Sequence, residues 1–146
     1  MAYAERTTVS VDQTRAEIER TLKRYGATAF AYASEAGRAA VMFEAHQRRI
    51  RFDLPLPPLK DSMTAASLKT GEQVHRQRWR ALLLAIKSKL ESVASGIESF
   101  EIAFLGHVVL PDGSTVGQHA AKSIALAYER NTMVPLLPHL DGRASP

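Results

Sequence analysis

The hydrophobic period of this chain changes twice, and that change restricts its architecture more than any other feature. Ile18, Leu22 and Tyr25 recur at helical spacing, Thr28 to Leu54 alternates with period two, and Trp79 to Val93 returns to helical spacing. In the alternating region Phe30 and Tyr32 are interleaved with Ala29, Ala31 and Ala33. Val41, Phe43 and Ala45 then share a face, and Ile50, Phe52 and Leu54 alternate with Arg49, Arg51 and Asp53. The turns at Glu35 to Arg38 and around His46, Gln47 and Arg48 are too short for a parallel crossover. The three segments are therefore expected as an antiparallel meander with one buried face. Pro55, Pro57 and Pro58 stop the sheet.

The flanks read as follows. Thr7 to Val11 is β-prone and is expected as a first strand. Thr14 and Glu17 have capping-box spacing before the first helix, Gly26 stands where a C′ glycine belongs, and Arg15, Glu19, Lys23 and Arg24 fall on its outer side. Lys60 to Gly71 reads as a solvated loop or a mobile excursion. Glu72 to about Ser95 is the strongest helix, with an apolar stripe of Trp79, Leu82, Leu83, Ile86, Leu90 and Val93, and Gly96 breaks it. Ile97 to Leu105 fits a short helix or a buried strand equally well. Leu110 to Gly113 signals a turn, and Ser114 opens a last helix with Val116, Ala120, Ile124 and Ala127 or Tyr128 inward. Met133 to Leu140 is apolar and proline-broken, and is expected to pack over a groove.

The expected fold is one α+β domain over residues 1–146, ordered β-α-β-β-β. It is an antiparallel three- to four-stranded meander packed by two or three C-terminal helices. Residues 7–54 form the strand-helix-meander half, 55–71 a proline-rich linker, 72–130 the helical half and 131–146 the tail.

Charge is concentrated in the middle. Between His46 and Lys89 ten Lys and Arg residues face only Asp53, Asp61 and Glu72, a local excess of +7 in a chain of net charge +4. Such a zone fits a polyanion. Arg49 and Arg51 share a strand face with Arg48 beside them, and Arg76, Arg80 and Lys87 follow one helix face. If both sets lie on one side, they form a groove able to track phosphates, and Phe30 and Tyr32 offer stacking surfaces unless they are the buried face of their strand. Ordinary solvated surface explains the same charges. Trp79 fits a core anchor better than a stacking platform or an interface anchor.

Catalytic signatures fail in turn. Cysteine is absent, which removes disulfides and thiolate nucleophiles. His46, His75, His107, His119 and His139 lack metal-ligand spacing, so neither metal nor cofactor is expected. Glu44 and Asp53 stand in the wrong order for a restriction-type nuclease and lack its lysine. They are better read as outward partners of Arg49 or Arg51. No apolar run is long enough to span a bilayer and Met1 to Thr14 is unlike a signal peptide, so a cytoplasmic protein without membrane contact is expected.

The runs RAEIERTLKRYGATAFAY from Arg15, RIRFDLPLP from Arg49, RQRWRALLLAIKSKLE from Arg76 and LPDGSTVG from Leu110 resemble, in this order, a family of uncharacterised phage and prophage proteins. The resemblance spans roughly Thr8 to Pro138. It implies a mobile-element accessory protein but no activity. The leading expectation is a non-enzymatic protein binding nucleic acid, single-stranded in preference, through Arg48, Arg49, Arg51, Arg76, Arg80 and Lys87. The alternative is an oligomeric interaction module that inhibits a host defence or replication factor, motivated by Val134, Leu136, Leu137 and Leu140 and by the apolar long helix.

Overall fold

The computed structural model describes residues 7–137. The order of elements is α1 (Val11–Arg24), β1 (Ala29–Glu35), β2 (Arg38–Ala45), β3 (Arg48–Pro55), α2 (Ala65–Ala94), α3 (Phe100–Ala103), a 3-10 turn (Leu105–His107) and α4 (Val116–Arg130). The fold is α+β, with a three-stranded antiparallel sheet in the order β1-β2-β3.

The meander follows from the alternation. Phe30 pairs with Phe43 and Phe43 with Ile50, so these side chains share one face. Val41, Phe43, Ile50 and Phe52 on that face are buried against Ile18 and Leu22 of α1 and Trp79, Leu83 and Ile86 of α2. Trp79 is fully buried, in accord with the core-anchor reading. Phe104, just after α3, closes the end of this core by meeting the Phe43 ring edge-on at 5.8 Å.

The N-terminus departs from expectation. Residues Thr7 to Ser10 form no strand, and Val11 is already helical. Ser10 is the N-cap, its Oγ accepting from the Gln13 N–H while the Gln13 side chain accepts from the Ser10 N–H. Thr14 instead lies in the core, fully buried. Arg15 is mostly covered rather than outward; its guanidinium lies 4.4 Å from the Tyr32 ring centroid and 4.8 Å from that of Trp79.

The stretch expected as a loop is mostly helix. Thr64 caps α2 by accepting from the Ser67 N–H, and the helix runs for 30 residues. Gly71 is tolerated inside it because Leu59 occupies the place of a Cβ, with Cδ2 at 2.7 Å. The residues after Gly96 resolve as the short α3, capped by Ser99, rather than a strand. Val108 and Val109 then touch the free edge of β3 through an isolated bridge to Ile50 and a Val109 N–H donated to the Arg49 carbonyl at 2.8 Å.

The last helix is capped by Thr115, not Ser114, and of the expected inward residues Ala120 is buried and Val116 packs on the core. Ile124 and Tyr128 are exposed. The tail does not cover a groove as far as it is described, since Met133, Leu136 and Leu137 are exposed; Pro138 to Leu140 lie outside the described residues.

Candidate interaction surfaces

The outer sheet face carries the first set of arginines. Alternation that buries Ile50 and Phe52 sends Arg49 and Arg51 outward. Arg49 sits across from Glu44 on β2 and pairs with it at 3.0 Å. Arg51 meets Asp53 at 3.3 Å and donates to the Gly113 carbonyl at 2.6 Å and to Gln118 Oε1 at 3.1 Å. Arg38 pairs with Glu35 across the first turn. Three cations thus stand against three carboxylates, and the face is locally balanced. Between them lie Ala29, Ala31, Ala33, Ala40 and Met42, the last three lining a shallow cavity of 410 Å³ near the first turn. Phe30 and Tyr32 point to the opposite, helix-covered face, so this surface has no aromatic platform. Arg48, at the hairpin end, grips Glu101 through Nε and Nη2 at 2.7 and 3.0 Å. That pair lowers the Glu101 carboxyl and raises the Arg48 guanidinium.

Arg76, Arg80 and Lys87 lie elsewhere. Their helix packs on the face carrying Phe52, so the sheet separates them from Arg49 and Arg51. The expected common groove required both sets on one side, and that condition is not met. Arg80 and Lys87 instead clasp Glu17 of α1, at 2.8 and 2.9 Å. Hydrogen bonds from Lys87 and then from Arg80 hold the Glu17 carboxyl below its usual range. Arg20 lines the same depression as Glu17 and Arg80. Among the described residues Arg76 reaches only Gln73, at 2.6 and 3.0 Å. The α1/α2 surface is therefore cationic in excess, with three cations around one carboxylate.

In a third region the turn and the helix start follow the sequence, but the exposure of the helix beyond them does not. Among the described residues helix α4 is fixed at its first turn and nearly nowhere else. Val116 donates its N–H to the Val108 carbonyl, Arg51 bonds the preceding turn, and Gly117 packs against Gly106. Beneath that turn Asp112 accepts from the Ser114 hydroxyl at 2.6 Å and the Ser114 N–H at 3.0 Å. The same carboxylate lies 2.8 Å from His119 Nε2. The hydroxyl and N–H of Ser114 are the main causes that bring the Asp112 pKa to about 2. The trio is no hydrolytic triad. Ser114 and Asp112 both meet Nε2 of His119, whereas a serine nucleophile and an orienting carboxylate must engage different nitrogens of the histidine base. An Asx turn just before the Thr115 cap accounts for it, and the Pro-Asp-Gly-Ser run was its local signal. Past Ala120 the helix is unsupported: Tyr128 is 85% exposed and Met133 just beyond it 93%.

Among the described residues, no group of three or more His, Asp or Glu is placed to hold a metal. His46 stacks on Phe100 and His107 on Phe52, and the His75 ring sits 2.7 Å from the Pro57 carbonyl. His139 lies outside the described residues. No described helix is long and apolar enough to cross a membrane. No family model, curated protein or solved structure matches this chain.

Proposed function

We propose that this protein is a non-enzymatic interaction module that offers α4 and the apolar segment after it to a groove on another protein. One observation carries the reading. A helix anchored by its first turn projects Ile124, Leu126 and Tyr128 into solvent, followed by Met133, Leu136 and Leu137. Fully burying an exposed apolar side chain is worth about 1.5–3 kcal/mol, a gain available in full only at Tyr128 and Met133 and in part at the half-buried Ile124, Leu126, Leu136 and Leu137. The turn at its start points the helix away from the core, so among the described residues Ile124 and Tyr128 on one face, and Leu126 on the opposite one, stay open to a partner. A phage or host protein as that partner fits the phage-type resemblance, which enters as context alone. The test is photo-crosslinking from position 128 in the producing cell. A discrete crosslinked protein that disappears when Ile124 and Met133 become Ser supports the reading. No crosslinked species from position 128 would sink it.

A second reading is favoured by Arg20, Arg80 and Lys87 gathering around Glu17, with Arg76 beyond them lacking a carboxylate among the described residues. This α1/α2 surface suits the phosphate backbone of a nucleic acid, with little base readout. The support comes from the helical side only, because Arg48, Arg49 and Arg51 are each occupied by Glu101, Glu44 and Asp53. Anisotropy of single- and double-stranded oligonucleotides at about 50 and about 300 mM salt tests it. Absence of binding to either form at the lower salt rejects it.

A further inference from the structure

The two edges of the sheet are treated differently. The edge of β3 is engaged by Val108 and Val109 and ends at Pro55. The edge of β1 receives no hydrogen bond among the described residues and ends the strand order. Soluble proteins ordinarily blunt such an edge with lysine, proline, a bulge or a covering segment. Among the described residues β1 has none of these. Its seven residues, Ala29 to Glu35, hold no proline and a single charge, at the last position. Pairing with β2 is continuous from Ala29 to Glu35, so no bulge twists the edge away.

We infer that β1 pairs antiparallel with β1 of a second copy of this chain, about a two-fold axis at Tyr32, to make one sheet continuous across both copies. The inference does not rest on the α4 reading, since α4 is tied to β3, at the far side of the sheet. The turn between β1 and β2 is Ala36-Gly37, closed by Glu35 and Arg38. A two-residue hairpin makes its closing pair hydrogen-bonded, so Glu35, Ala33, Ala31 and Ala29 spend their backbone groups on β2. The N–H and C=O groups of Phe30, Tyr32 and Ser34 then face the open edge, centred on Tyr32. A two-fold axis there sets Tyr32 against Tyr32, Phe30 against Ser34, Ala31 against Ala33 and Ala29 against Glu35, and every free donor meets a free acceptor.

Charge and size select a second copy as the occupant. In this register the strand's one carboxylate falls opposite Ala29 rather than its own counterpart, and Glu35 keeps its own Arg38. Small side chains meet on the open face, where exposed Ala29, Ala31 and Ala33 would be poor choices for a solvated strand. On the helix side Tyr32 is half-exposed yet held by Arg15 over its ring, ready to meet its symmetry mate. Interfaces with two-fold symmetry require this self-complementarity.

Sedimentation of the full chain across the micromolar range tests the inference, read together with amide exchange at Phe30, Tyr32 and Ser34. The expected result is a dimer whose formation slows exchange at those three amides. Ala31→Lys with Ala33→Lys, at exposed positions, should sediment as a monomer at concentrations where the unaltered chain is dimeric, because lysine then opposes lysine. Ala31→Lys with Ala33→Glu should remain dimeric, because the register opposes unlike charges. A chain that stays monomeric overturns the inference, whether its β1 amides exchange freely or are protected by another segment of the same chain. So does a dimer unaffected by the two lysines, or one lost when Ile124, Tyr128 and Met133 become Ser.

Discussion

Gly117 packs so closely on Gly106 that a Cβ on it would stand 2.8 Å from the Gly106 carbonyl oxygen. The contact is backbone on backbone, so neither side can give way. Gly117→Ala should separate α4 from the 3-10 turn, at an overpacking cost of about 1–3 kcal/mol that outweighs the gain of up to about 1 from helix propensity. Faster amide exchange throughout α4, with a lower urea midpoint, is the expected outcome. Gly106→Ala meets open space and should behave like the parent.

Gly71 gives the opposite result from an equally short contact. Its Cβ would come within 2.7 Å of Leu59 Cδ2, the tip of an exposed side chain that can swing aside. Gly71→Ala should therefore raise stability by up to about 1 kcal/mol through helix propensity. A lower urea midpoint would show that Leu59 is held in place.

These contrasts mark where the sequence was legible. The meander, its buried face, the stripe of α2 and the pairing of Glu44 and Asp53 with Arg49 and Arg51 follow from spacing, because strand neighbours are close in sequence. Ser10-Gln13 and Thr14-Glu17 both match a capping box, and only the burial of Thr14 decides between them. The first two turns of α2 were hidden because Thr70 and Gly71 weaken local propensity while Leu59 packs over the gap. Glu17 meets Arg80 and Lys87 from 63 and 70 residues away, and Glu101 meets Arg48 from 53 away. No local pattern announces such partners, yet they leave only half of the ten cations of the basic zone without a carboxylate among the described residues. The exposure of Ile124 and Tyr128 was equally unreadable, since an apolar helical face normally implies a core.

The second hairpin stores strain that a substitution can release. Its turn holds His46 at φ 51° and Gln47 at φ 62°, where asparagine and glycine are preferred. His46 is compensated by stacking on Phe100 at 4.4 Å, whereas Gln47 makes no comparable contact. Gln47→Gly should stabilise the protein by roughly 1 kcal/mol. His46→Gly should give no such gain, because the stacking is lost with the strain. Equal urea midpoints for the two variants would contradict this assignment.

His107 sets a pH dependence whose sign follows from its burial. Burial, and secondarily the charge of Lys89, lowers its pKa from the ordinary 6.5. The unfolded chain therefore takes up the proton first. This contribution to stability is intact above pH 6.5, declines as pH falls from there towards the folded pKa, and levels off below it. Glu17, Glu101 and Asp112, lowered from ordinary values of 4.5 and 3.8, act only in more acidic solution. His107→Phe keeps an aromatic ring over Phe52 and removes the titration. Its melting temperature should fall less than the parent's between about pH 7 and about pH 5.5. An unchanged slope would place the titrating group elsewhere.

Glu17 decides whether the helical surface presents charge to a polyanion. It holds Arg80 and Lys87 at once, so Glu17→Gln frees both side chains and adds one unit of positive charge beside Arg20. If phosphates bind there, oligonucleotide affinity at low salt should rise and the slope of log K against log salt should steepen by about one. Arg80→Glu with Lys87→Glu should abolish the same binding, while Arg49→Glu, on the balanced outer face, should leave it nearly unchanged. Anisotropy titrations on the four proteins separate the cases. Equal loss from Arg49→Glu would move the binding surface to the sheet, and indifference to all three changes would leave these cations as ordinary surface.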